Sequence, residues 1–242
     1  MAWFRADLHL HSCLSPCGDL ESSPSAIAAT ARERGLDMVA LTDHNSALNC
    51  PAFAQACAAH GLGALFGMEA TSREEVHLLC LFETVGQALE MGERLYDRLA
   101  DVHNIPEKLG DQVYVDVDEN ILGEVEKHLI GAVDLSVDEI MALVLDRGGL
   151  FIPAHIDRTV NSMGSQLGFL PAGAYSAVEV TRSPCPIATY DYPRVCNSDA
   201  HFLPDIASRW FAFEANAPDF GGLKSALAAN RLKLSIEPHP PA

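Results

Sequence analysis

His9 and His11 stand two residues apart, and so do Asp199 and His201. On a strand, residues i and i+2 face one side about 6.6 Å apart along the chain, so two such side chains can converge on one ion. Asp19, His44, Glu69, His77 and His155 offer the same donor types elsewhere, and six of the ten histidines belong to this set. Zinc, manganese and iron all accept imidazole and carboxylate together. Nine donors exceed what one four- to six-coordinate ion needs, so the set calls for about two or three divalent ions. Taken singly, each residue has an ordinary reading: a hydrogen-bonded core histidine, a turn at Asp43-His44, a helix-start acid at Glu69, a cap at Asp199. The chemistry depends on all nine reaching one end of one sheet.

The elements that must carry them follow from the hydrophobic pattern. Residues 4–11 alternate, with Phe4, Ala6, Leu8 and Leu10 on one face and Arg5, Asp7, His9 and His11 on the other. Strands are expected at 38–42, running into Asp43-His44-Asn45, at 65–70 and 76–82 with Glu69 and His77, and at 150–156 with His155. Others fall at 177–181, at 194–196 leading into Asn197-Ser198-Asp199-Ala200-His201, and at 210–214 and 232–236. Ser23 caps a helix opened by Pro24 and stopped at Gly35. Further helices read at 51–60, 84–103, 136–147 (with Ser136 and Glu139 as a capping box) and 220–229. The stretch 104–133 breaks the pattern and predicts a small acid-rich hairpin or loop insertion within a single domain spanning 1–242. The Pro-rich tail reads as loose.

Strands alternating with helices imply a mainly parallel sheet, open or closed into a barrel. No Gly-x-Gly-x-x-Gly or Walker-type loop is present, which argues against a nucleotide-binding fold. Polar residues gather at the C-terminal ends of many strands, the face on which barrel enzymes build their sites.

A chain of 242 residues, 48% hydrophobic, can bury a full core. Its net charge of −17 repels a long phosphate polyanion, so long nucleic acid is not expected as a partner, and any bound phosphate needs local positive charge. Seven dispersed cysteines, an N-terminus charged by residue 5 and no apolar run long enough for a membrane span point to a reduced, cytoplasmic setting without a membrane partner. Cys13 and Cys17 lie near two histidines and could join a metal site, but lack the two-residue spacing of zinc knuckles.

Asp7-Leu-His9-Leu-His11-Ser, Gly18-Asp19, Leu41-Thr-Asp-His44-Asn45, Gly67-Met-Glu69, His77, Pro153-Ala-His155 and Ser198-Asp199-Ala-His201 resemble the ordered motifs of the PHP (polymerase and histidinol phosphatase) superfamily, across residues 5 to 235. The resemblance implies an α/β fold, a distorted seven-stranded (β/α) TIM-like barrel of PHP type, with a trinuclear site that hydrolyses phosphoesters. By the same resemblance, His9, His11, Glu69 and Asp199 hold one ion. Glu69 bridges to a second held by His77 and His155, and Asp19, His44 and His201 hold the third. Two departures bear on substrate. The segment between His11 and Asp19 is longer than the family's shortest version, and the 104–133 insertion is short where nucleotide-acting relatives often carry a larger helical cap.

Three dications outweigh the carboxylates of Asp19, Glu69 and Asp199, so such a site is locally positive within an acidic protein. A water acidified between ions can attack phosphorus, and no nucleophilic Ser or Cys is required. Asp43 either orients a ligand histidine or forms the turn. Arg158 and Arg182 follow strands on the same face and can grip phosphate bidentately, or can form surface ion pairs; Asn45 and Ser46 are weaker candidates for the same task. The expected function is a metal-dependent phosphoesterase acting on a small phosphorylated substrate, a nucleoside phosphate or the end of a short oligonucleotide. The alternatives are a histidinol-phosphate-type phosphomonoesterase, or a PHP metal-binding module regulating DNA metabolism without turnover of its own.

Overall fold

The computed structural model describes residues 1–236, so the Pro-rich tail and His239 lie outside the described residues. β1 (Ala2–Leu10) leads to α1 (Pro24–Glu33), whose first turn is closed by Ser23 Oγ accepting from the Ala26 N–H at 3.0 Å. A cap of this kind is worth about 1 kcal/mol. The order continues β2 (Met38–Leu41), α2 (Cys50–His60), β3 (Gly63–Thr71), β4 (His77–Phe82) and α3 (Val85–Tyr96). Next come α4 (Pro106–Leu109), the hairpin β5 (Val113–Val115) and β6 (Ile121–Glu124), then α5 (Val137–Asp146) and β7 (Leu150–Pro153). The chain ends through α6 (Met163–Leu167), β8 (Val178–Glu179), β9 (Arg194–Val195), β10 (Phe211–Ala215), α7 (Phe220–Ala228) and β11 (Leu232–Leu234).

Seven strands form one curled sheet in the order β11-β10-β1-β2-β3-β4-β7, the half-barrel of a distorted TIM-like barrel. Its remaining gap is spanned by the parallel pair β8–β9. Ser176 N donates to Phe151 O and Ile156 N to Glu179 O on the β7 side, while His11 N donates to Ala200 O and Ala200 N to His9 O on the β1 side. The sheet is mixed rather than mainly parallel. β1, β2 and β3 run parallel, but β3–β4, β4–β7, β1–β10 and β10–β11 are antiparallel. The physical reason at β3–β4 is the short turn between them, which can close a hairpin but not a crossover. The helix expected over 84–103 stops at Tyr96, because Leu99 is drawn into a bridge with Val133.

Two apolar layers hold the sheet. Val39, Leu41, Phe66, Met68, Leu78, Cys80 and Phe82 pack outward with residues of α1, α2, α3 and α5. Ala6, Leu8, Met38, Ala40, Leu65, Leu79, Leu81 and Ile152 pack on the other face, together with Phe211, Phe213 and α7. One irregularity decides where the histidines go. Between Asp7 and Leu10, β1 carries one more residue than β2 (Asp7 pairs with Val39, Leu10 with Leu41). Such a bulge reverses strand parity. Leu10 accordingly joins the outer layer instead of sharing a face with Ala6 and Leu8, and His9 and His11 are released to the inner face. On that face Glu69 continues the parity of Leu65, and His77 that of Leu79 and Leu81. The barrel interior is thus apolar at one end and lined by histidines and acids at the other.

Candidate metal centre

Eight of the nine residues singled out from the sequence meet at this polar end. Glu69, fully buried, is the hub. Its Oε1 lies 3.2 Å from His9 Nε2, 2.8 Å from His77 Nδ1 and 3.0 Å from His155 Nε2. Its Oε2 lies 3.4 Å from His11 Nε2 and 3.3 Å from His44 Nδ1. Asp199 Oδ1 stands 3.2 Å from His9 Nε2 and 3.4 Å from His11 Nε2. His201 stacks on His11, with ring centroids 4.1 Å apart. Two of these residues depart from strand geometry: His155 has φ 26° and Asp199 φ 56°. Left-handed backbone at a non-glycine residue costs about 1–3 kcal/mol and persists only where surrounding contacts enforce it.

Three sets of donor atoms each lie within 4.8 Å of one another: His9, His11, Glu69 and Asp199; His44, Glu69 and His77; and His11, His44 and His201. His9 Nε2, His11 Nε2, His44 Nδ1, Glu69 Oε2, His77 Nδ1 and Asp199 Oδ1 are buried without a hydrogen-bond partner. Leaving each unpaired costs about 1–3 kcal/mol, and that many in one cavity fit ligation by divalent ions. Asp19 is not among the converging groups; its Oδ1 accepts from Glu21 N, while its backbone N–H reaches His201 O. The third set contains His11 in its place. Cys13 and Cys17 also stay out of these groups, and all seven cysteines are free thiols.

The cluster divides its histidines by charge. Burial disfavours charge on His9, yet Asp199, Glu179 and Glu69 outweigh it and hold this imidazole well above its ordinary value. Against the same burial penalty, Asp199 and Glu69 raise His11 to about 9. Burial would raise the two carboxyls, but His77 and His9 keep Glu69 well below the usual range, and His9 and His11 do the same for Asp199. His44 and His201 are pushed down by burial and by His11, His201 to about 4.

The remaining sequence candidates separate. Asp43, fully buried, accepts from Ser12 N, Ser12 Oγ and Ser15 Oγ at 2.7, 2.7 and 2.8 Å. Because Ser15 spends its proton on Asp43, it can only accept from His11 Nδ1 at 2.9 Å. That turns His11 Nε2 toward the centre, the nitrogen whose proton an ion would displace. Arg158 contacts Asp199 Oδ2 and lines the mouth of a cavity of about 180 Å³ with Val160, Asn161, His77 and His201. Arg182 is tied to Asp157 instead, donating to its carbonyl at 2.6 Å, and does not line that cavity. Asn45 spends its amide on Leu129 O and Gly131 O, and Ser46 lines a different groove. Glu179, Asn197 and Ser15 were not singled out from the sequence. Glu179 is buried beside His9, and the one available signal was a lone acid between Val178 and Val180 in an apolar strand.

The sequence profile of the PHP domain matches residues 7–145, more than half of the chain, which therefore belongs to the PHP family. No curated protein matches the chain in sequence. Among solved structures, the fold is similar to that of PfuEndoQ, a lesion-specific endonuclease from Pyrococcus furiosus, with TM-score 0.67 and 18% identity over 96% of this chain and 58% of that one. It is similar to endonuclease Q in complex with a 27-mer duplex carrying an abasic lesion, with TM-score 0.63 and 18% identity over 94% of this chain and 57% of that one. A candidate metal-dependent phosphoesterase from Bifidobacterium adolescentis matches with TM-score 0.57 and 19% identity, over 81% and 87% of the two chains. This chain thus spans somewhat more than half the length of the two endonuclease chains.

The second of these structures corrects one expectation. A chain sharing this fold holds a 27-mer duplex, so neither the exclusion of long nucleic acid nor the restriction to a small phosphorylated partner stands. Net charge sums the whole surface, whereas a strand meets only the local field at the mouth. Among the described residues, no helix is long and apolar enough to cross a membrane.

Proposed function

We propose that this chain hydrolyses a phosphodiester bond in DNA, using divalent ions held by His9, His11, His44, Glu69, His77, His155, Asp199 and His201. The observation that carries the reading is the convergence of buried, unpaired donor atoms on one cavity. Bound there, two or three ions of zinc, manganese or iron supply Lewis-acid charge for phosphate oxygens and acidify a water toward neutrality.

The chain's own residues supply the rest. Arg158, at the mouth, presents a guanidinium fork that fits a phosphate oxygen pair once it leaves Asp199. Asp43, through Ser15, keeps the His11 proton on Nδ1. The apolar plug of Leu8, Leu65 and Leu79 closes the far end of the interior, so substrate enters only from the strand tips. A cavity of about 180 Å³ is smaller than the roughly 300–1,000 Å³ that engulfs a whole small ligand. It suits one phosphate and the atoms next to it, with the bulk of the substrate outside, which supports a strand over an enclosed metabolite. The fold shared with endonuclease Q supports the same choice.

The test is a turnover panel with manganese-, zinc- or iron-loaded protein. Single strands, intact duplex, abasic duplex, nucleoside phosphates and histidinol phosphate are compared. Cleavage of a DNA substrate in preference to the small esters supports the proposal. Preference for histidinol phosphate favours the monoesterase alternative, and a loaded protein inert toward the whole panel favours a metal-binding module without turnover.

A further inference from the structure

Glu179 is a buried acid at the strand tips that belongs to none of the three converging donor sets, and it lies against the ring of His9. It sits between three donors. Its Oε2 accepts from the His155 backbone N–H at 2.7 Å, its Oε1 accepts from Asn197 Nδ2 at 2.8 Å, and both oxygens lie 3.1–3.2 Å from His9 Nδ1. The Asn197 amide has no freedom to turn around. Its Oδ1 accepts from Leu8 N at 2.8 Å, and a backbone N–H can only donate, so its NH₂ must face Glu179.

We infer that Glu179 is a positioning residue that fixes the tautomer and ring orientation of His9 for metal binding, through a chain running from the Leu8 amide to Asn197 to Glu179 to His9. The inference rests on reading the cluster as a metal centre. A carboxylate that already accepts from two obligate donors can only accept again, so His9 keeps a proton on Nδ1 and turns Nε2, the nitrogen whose proton an ion would displace, toward Glu69 and Asp199. The device differs from that on His11, where the carboxylate of Asp43 acts through the Ser15 hydroxyl. On His9 the charge is in direct contact, which makes the ring more basic toward an ion. Glu179 also joins three strand ends: His9 follows the β1 bulge, His155 follows β7 and Asn197 follows β9. One side chain thereby sets both the proton and the spacing of two ligands.

Glutamine at 179 has nearly the same volume but one acceptor oxygen, and its NH₂ must face at least one of the three donors. Zinc is the probe, being diamagnetic. Competition titration with a zinc chelator is expected to show Glu179→Gln binding about 10- to 100-fold more weakly than wild type. Glu179→Asp, which keeps the charge, recovers part of the loss. Histidine ¹⁵N NMR of the zinc-loaded wild type, assigned with His9→Ala, is expected to place the His9 proton on Nδ1. That measurement decides the matter even where Glu179→Gln fails to fold. A proton on Nε2, or equal zinc affinity in wild type and a folded Glu179→Gln, overturns the role of Glu179 alone. A wild type that takes up no zinc removes the metal-centre reading and this proposal with it.

Discussion

Titration of the metal-free protein gives a stability profile with a definite sign on each side of neutrality. His11 is raised from 6.5 to about 9 in the folded chain because the charges of Asp199 and Glu69 beside its ring outweigh the burial penalty. A raised histidine contributes stability that is fully present below its unfolded value and is lost as pH climbs through the folded one. The folded state then holds one more proton than the unfolded state, and stability falls by about 1.4 kcal/mol per pH unit. From pH 6.5 to 8.5 the loss is therefore close to 3 kcal/mol from His11 alone, and His9, shifted the same way, adds to it. On the acid side His201, lowered to about 4, works in the opposite direction, its contribution disappearing as pH drops from 6.5 toward 4. Stability should peak near pH 6.5. Urea unfolding in chelator at pH 5.5, 6.5, 7.0 and 7.5 measures it, the last point staying about one unit below the onset of thiol ionisation in the unfolded chain. Added zinc should reverse the alkaline slope, since the ion competes with protons for Nε2. A metal-free profile that is flat or rising between pH 6.5 and 7.5 would refute the electrostatic account of the cluster.

Asp199→Ala removes the carboxylate shared by His9 and His11, and turnover by the loaded protein should fall on the order of a thousandfold, about 4 kcal/mol, in a chain whose circular dichroism is unchanged. Arg158→Ala should lower kcat/KM by about 10- to 100-fold through loss of a charge-assisted phosphate contact worth roughly 1.5–3 kcal/mol. Arg182→Ala, whose guanidinium is committed to Asp157, should stay within about twofold of wild type in the same steady-state assay. Ser15→Ala strips His11 Nδ1 of its acceptor and Asp43 of a donor, and should cost about 1–3 kcal/mol in urea unfolding.

The set of converging side chains was legible because histidines and carboxylates at two-residue spacing are rare and stand in conspicuous places. His9-x-His11 falls at the end of one apolar strand and Asp199-x-His201 just past another, and few structural roles account for both. The assembly of those strands was less legible. The β1 bulge that turns His9 inward leaves no mark in the pattern of residues 4–11, whose plain alternation put Leu10 with Leu8. The antiparallel course of β4 could have been read from the short link after Thr71, but parallel pairing is the default once helices alternate with strands. Asp19, expected with the others, lies on a loop that carries its carboxylate to Glu21 N, a local course that the motif does not encode. Glu179 and Ser15 escaped notice for the opposite reason. Their function lies in a contact with a histidine distant in sequence or across a turn, and a single acid or serine carries no periodicity.

Anomalous diffraction from crystals grown with manganese tests the central claim most directly. Peaks at two or three positions within bonding distance of the bare nitrogens of His9, His11, His44 and His77 and of the oxygens of Glu69 and Asp199 are the predicted result. A well-ordered crystal with no anomalous density between these side chains, at manganese concentrations that load other binuclear hydrolases, would contradict it.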